Sequence, residues 1–131
     1  MRELDYYGRI TNYYLLASQA LGKSITWEAK LTKGKSLPFS DLKPHQEQKL
    51  LESERAYGAK IPDIGLSQKP FDGYVIWHAF AVVVVIFYEP RNERVYEISI
   101  RNFIEERELG SRKSLTEERA EIIGRKIPLK K

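Results

Sequence analysis

From Val75 to Tyr88 the chain is apolar at every position except His78. A run this short does not span a bilayer as a helix, and its valine-rich composition suits a buried strand. One unbroken strand of that length would be unusual, so the spacing predicts two, Gly73 to Ala79 and Val82 to Tyr88. The first residues lack the charged, apolar, small-residue order of a signal peptide. These features predict a protein with no membrane association, in the cytoplasm or in a host cell if the gene is viral. A length of 131 residues suits a single domain, 1–131, around one core. The absence of cysteine excludes disulfides and thiolate metal sites.

Around that run the pattern is mixed. From Ile25 to Leu31 the alternation is regular: Ile25, Trp27, Ala29 and Leu31 point one way, Thr26, Glu28, Lys30 and Thr32 the other, as in a half-buried strand. Ile10 to Ala17 reads as a strand, and the same stretch continued to Ala20 also fits a helix. Thr32 to Lys43 reads as a loop. A helix should open near Pro44, whose missing N–H suits the first turn, and run to Tyr57 before Gly58. Gln46, four residues before Leu50, shares its apolar face. Ala59 to Phe71 reads as a long loop, Glu89 to Asn92 as a turn and Arg94 to Ile98 as a short strand. Ser99 to Glu108 and Leu115 to Ile123 read as helices. Strands and helices in this order predict an α/β domain with a mixed sheet.

The net charge is +4. Its excess sits in two places: Lys23, Lys30, Lys33 and Lys35 against Glu28 alone, and a tail holding Arg112, Lys113, Arg119, Arg125 and Lys126. Clustered cations suit a polyanion such as nucleic acid; a solvated surface has the same composition. Glu28 and Lys30 leave one face of their strand. Phosphodiester hydrolysis uses a divalent cation held by carboxylate oxygens, and a lysine to neutralise charge growing on the phosphate. Alternating charges on a solvent-facing strand look the same. The two histidines are too few for a zinc centre: His45 reads as a first-turn helix residue facing phosphate or solvent, His78 as a satisfied strand histidine. Gly34-Lys35-Ser36 lacks the upstream glycine of a phosphate loop. The tyrosines Tyr6, Tyr7, Tyr13 and Tyr14 read as packing residues, with stacking on unpaired bases as the alternative.

The segment Thr26-Trp-Glu-Ala-Lys-Leu-Thr-Lys-Gly-Lys-Ser-Leu-Pro-Phe-Ser-Asp-Leu-Lys-Pro-His-Gln46 resembles the core of the RecU-type Holliday-junction resolvases, a branch of the PD-(D/E)XK nucleases. There a strand with Glu-Ala-Lys runs into a lysine-rich loop, a phenylalanine and a helix opening with His-Gln. Asp72-Gly73 and Gly110-Ser-Arg-Lys-Ser-Leu115 before Ile127-Pro-Leu129 look like later parts of that family, so the resemblance covers most of residues 22–129. It implies a restriction-endonuclease-like mixed β-sheet flanked by helices, and a homodimer that nicks four-way DNA junctions using Mg²⁺, or Mn²⁺ in its place. It also implies roles. Glu28 would be a metal ligand, the Ala29 carbonyl a second, Lys30 the catalytic lysine, and Gln46 the residue orienting that lysine or a water. Lys23, Lys33, Lys35, Arg112 and Lys113 would contact phosphates. The family's upstream aspartate has two candidates before Glu28, Glu3 and Asp5. Asp5-Tyr6-Tyr7-Gly8 is similar to the family's Asp-Tyr-x-Gly and makes Asp5 the expected metal ligand, although it lies further from Glu28 than in the family. The sequence shows no counterpart of the family's N-terminal helix or stalk. The alternative of another class is an inactive module of the same fold that binds branched DNA or a protein.

Overall fold

The computed structural model describes residues 2–55, 59–62 and 73–129. In chain order a 3-10 turn (Glu3–Tyr6) leads into α1 (Tyr7–Leu21), β1 (Ile25–Thr32) and β2 (Ser36–Pro38). A second 3-10 turn (Phe39–Asp41) precedes α2 (Pro44–Glu54), β3 (Ala59–Pro62), β4 (Gly73–Ile76) and β5 (Phe80–Phe87). The chain closes with β6 (Arg94–Ser99), α3 (Ile100–Leu109), β7 (Ser114–Thr116), α4 (Glu117–Ile123) and β8 (Arg125–Lys126).

The apolar run forms β5, an inner strand of a four-stranded mixed sheet ordered β1-β5-β6-β8. β5 pairs in parallel with β1 and antiparallel with β6. With a strand on each edge and helices over each face, every residue from Ala81 to Phe87 is buried. Ala81, Val83, Val85 and Phe87 face one core, shared with Leu50 of α2, Phe103 of α3 and Ala120 of α4. Val82, Val84 and Ile86 face the other, shared with Tyr6, Ile10 and Tyr14. Full burial of a valine, isoleucine or phenylalanine contributes about 1.5–3 kcal/mol, so this strand anchors both layers. β1 is an outer strand among the described residues, and only Ala29 in it is fully buried.

Several elements differ from the sequence reading. Ile10 to Ala17 is helical, not a strand, and the helical alternative through Ala20 is the one the chain adopts, within α1. The tyrosines that favour a strand instead follow a spacing of four: Tyr6, Ile10 and Tyr14 form one buried stripe. Gly22 ends the helix in the left-handed region, φ 62°, with its N–H on the Ser18 carbonyl. The predicted loop after β1 contains β2, which pairs antiparallel with β7 and sets buried Leu37 opposite buried Leu115. That pairing also delays the last helix to Glu117. α2 stops at Glu54 rather than Tyr57, because Arg55 turns extended and its carbonyl accepts the His78 N–H at 3.1 Å. Residues 56–58, which hold the expected glycine stop, lie outside the described residues. The predicted long loop contributes β3, paired with β4. β4 itself ends at Ile76, three residues early. β8 went unpredicted, and it reaches β6 only because residue 124 is glycine: a Cβ there would lie 2.7 Å from Ile98 Cγ1 and collide with the Glu97 carbonyl. No helix among the described residues is long and apolar enough to cross a membrane.

Candidate functional site

β1 carries its apolar residues toward α1 and its polar ones toward α2, as the alternation requires. Trp27 and Leu31 are half-buried against the α1 core, and Tyr7 meets the Trp27 ring edge-on at 5.5 Å. Glu28 and Lys30 leave the opposite face. There Glu28 lines a cleft of about 410 Å³ together with Thr26, His45, Gln46, Ser53 and Ile76. The two walls are tied by a 2.8 Å hydrogen bond between the hydroxyls of Thr26 on β1 and Ser53 on α2.

Glu28 makes no hydrogen bond or ion pair among the described residues. Burial pushes its carboxyl above the ordinary glutamate value; Lys30 opposes the shift, Glu3 adds to it and His45 opposes it. Four groups therefore share one electrostatic environment: Glu28, Lys30, Glu3 and His45. Of the two upstream acids it is Glu3 that acts on Glu28. Asp5 turns its carboxylate back on its own 3-10 turn, accepting the Arg2 N–H at 2.8 Å and facing the Arg2 guanidinium at 3.7 Å. The sequence singled out Asp5 by its motif and passed over Glu3, the other acid before β1.

The backbone of β1 bears on Ala29. The Ser24 and Thr32 carbonyls accept hydrogen bonds from Phe80 and Tyr88, each at 2.8 Å. Strand groups alternate sides, so the even residues of β1 face β5 and the carbonyls of Ile25, Trp27, Ala29 and Leu31 face the open edge. The Ala29 carbonyl is thus free of the ladder and next in sequence to Glu28. Gln46 does line the cleft, but its side-chain oxygen accepts the Lys43 N–H at 3.0 Å and caps α2. Only its amide NH₂ is left for a ligand.

No group of three or more histidine or acidic side chains is assembled among the described residues. A divalent cation at this site would rest on the Glu28 carboxylate and the Ala29 carbonyl, with water completing its oxygen shell, as Mg²⁺ commonly accepts.

The cations divide into two populations. Arg2, Arg9, Arg94, Arg101, Arg107, Arg119 and Arg125 are all in ion pairs with acids of the same chain. Lys23, Lys30, Lys33, Lys35, Arg112 and Lys113 are in none among the described residues. Four of these fall in two pairs at opposite ends of the β2–β7 ribbon, Lys33 and Lys35 at one end and Arg112 and Lys113 at the other. The β2–β7 ribbon sets Lys35 beside Glu117, whose N–H reaches the Lys35 carbonyl at 2.9 Å, and Lys113 beside Phe39, whose N–H reaches the Lys113 carbonyl at 3.1 Å. Lys33 and Arg112 flank that ribbon in sequence. Lys23 lies at the far end of β1, about 30 Å away at roughly 3.3 Å per residue.

No protein-family model matches the chain, and no curated protein matches it significantly.

Proposed function

We propose that this protein is a divalent-cation-dependent DNA endonuclease of restriction-endonuclease-like fold, acting on branched DNA such as four-way junctions, as a homodimer. The observation that carries the reading is the unpartnered Glu28. Among the described residues this half-buried carboxylate has no hydrogen-bond or ion-pair partner and faces a cleft, beside Lys30 and the Ala29 carbonyl, while the buried carboxylate of Glu97 is held by Tyr14 and Arg125. A stability role does not account for such a group, since burying an acid without a partner costs free energy.

In this reading Glu28 and the Ala29 carbonyl would hold a divalent cation, whose chemistry when bound would be to lower the pKa of a water and polarise the phosphate. Lys30 neutralises charge that develops on the phosphate oxygens. The Gln46 amide, fixed by its own capping bond, donates toward the phosphate or the attacking water. Lys33 with Lys35, and Arg112 with Lys113, contact phosphates at two places along the backbone, which positions DNA without reading its sequence.

One observation favours a second reading. Asp5, the expected second acid, is engaged with Arg2, which suits an inactive module that binds branched DNA. Single-turnover assays on labelled four-way junction, duplex and single strand, with Mg²⁺ and with EDTA, separate the two. Cleavage in Mg²⁺ alone is expected, and tight binding with no cleavage in Mg²⁺ or Mn²⁺ would leave only the second reading.

A further inference from the structure

Among the described residues the segment joining β4 to β5 holds the most exposed large aromatic ring, next in sequence to a residue that lines the cleft. Ile76 lines the cleft and Trp77 follows it with 59% of its surface exposed. His78, also exposed, sits at φ 51°, a left-handed conformation that costs a residue with a side chain roughly 1–3 kcal/mol. Neighbouring backbone holds it there: the His78 N–H bonds the Arg55 carbonyl at 3.1 Å and the Ala79 N–H bonds the Ser53 carbonyl at 2.9 Å. The Trp77 and His78 rings lie 5.0 Å apart, tilted by 51°. The strained bend therefore holds two exposed planar rings directly after Ile76, the residue of this segment that lines the Glu28 cleft. Both rings would be better buried if packing were their purpose.

We propose that Trp77, backed by His78, is the platform on which an unpaired base stacks when its adjoining phosphate lies over Glu28. The inference rests on the nuclease reading and narrows its substrate. Bases in continuous duplex are already stacked on their neighbours, whereas a base at a frayed branch point or in a single strand has a free face. Aromatic stacking is tolerant of sequence, so the platform selects structure and not a base. The chain then prefers branches with unpaired nucleotides to fully paired junctions and to duplex.

Fluorescence-anisotropy titrations in EDTA, where nothing is cut, test this with three labelled DNAs: a single strand, a junction with unpaired branch nucleotides and a continuous duplex. Trp77→Ala should weaken binding to the first two by about ten- to hundredfold and leave duplex binding unchanged, and Trp77→Phe should restore most of the loss. If wild type binds DNA and Trp77→Ala binds all three forms equally well, the platform is overturned and the nuclease reading stands. An equal loss on all three forms overturns it too, since the contact would then not be with an unpaired base. Failure of wild type to bind any of the three overturns both.

Discussion

Two strands of the same sheet treat charge in opposite ways. Along β6 and the residue before it, every acid and arginine is clamped. Glu93 accepts the Tyr6 hydroxyl at 2.5 Å and Arg9 at 2.7 Å, and Glu97 accepts the Tyr14 hydroxyl and Arg125, each at 2.8 Å. On the opposite face Arg94 grips Glu117 through two bonds of 2.9 and 2.7 Å, and the same carboxylate takes the Tyr96 hydroxyl at 2.8 Å. The same combination of tyrosine, glutamate and arginine is built three times. Burial and the bond to Glu117 push the Tyr96 phenol up to about 12, while the Arg94 hydrogen bond holds Glu117 below the ordinary range. On β1, Glu28 and Lys30 have no clamp. The inner strand uses its charges to fasten helices α1 and α4 to the sheet, and the outer strand leaves its charges available to something outside the chain.

The sharpest way to break this contrast is to remove charge from each strand. Glu28→Gln and Lys30→Ala should each lower single-turnover cleavage by at least about hundredfold while junction affinity holds. Because burial raises the Glu28 carboxyl, its ionised form is disfavoured in the folded state. Its stabilising contribution is fully present below the unfolded pKa and is lost as pH rises through the folded one. Glu28→Gln should therefore melt at or slightly above the wild-type temperature at neutral pH, and a clear fall in calorimetry would make Glu28 a structural residue. Glu97→Ala should do the reverse, costing about 3 kcal/mol in urea unfolding, since it strands the buried Tyr14 hydroxyl and frees Arg125. A cost below about 1 kcal/mol, the usual worth of an exposed pair, would remove the distinction between the strands.

Smaller effects sharpen the comparison. Protons compete with a cation for Glu28, so Mg²⁺ affinity by titration calorimetry should be flat at high pH and fall as pH drops through the Glu28 pKa. The midpoint should lie above the ordinary glutamate value of about 4.3, and Glu28→Gln should show no such limb. A midpoint at or below the ordinary value would mean that some other acid binds the ion. Least in size, Lys33→Ala with Lys35→Ala should flatten the salt dependence of DNA affinity by roughly one log–log unit per lost phosphate contact. An unchanged slope would assign the free lysines to plain surface.

Much of the fold was legible where one periodicity acts alone. The alternation from Ile25 to Leu31 gave β1 and the shared face of Glu28 and Lys30, and the valine run gave β5. The tyrosine-rich N-terminus left strand and helix both open because aromatic residues suit strands, while its helical stripe is completed by Glu93 and Glu97, far along the chain. β2, β7 and β8 are two or three residues long and have no period to detect. Gln46 was expected to serve the site, and its position at the start of α2 commits its oxygen to the cap. His78 was expected in a strand; its left-handed bend is imposed by the carbonyls of Arg55 and Ser53 and leaves no sign in local sequence.

The bare edge of β1 has a consequence for how the protein behaves in a crowd. Among the described residues the N–H and C=O groups of Ile25, Trp27, Ala29 and Leu31 have no ladder partner, a row that another chain's strand could extend, and charged side chains are a common guard against such pairing. Glu28 and Lys30 are the only charged residues of this strand. Removing either one leaves the other on guard. Removing both, as Glu28→Thr with Lys30→Thr, leaves eight consecutive uncharged residues rich in β-branched side chains on an outer strand, the composition that seeds cross-β growth. The pair proposed to serve the cleft therefore also stands where an edge strand is guarded against pairing with a second copy.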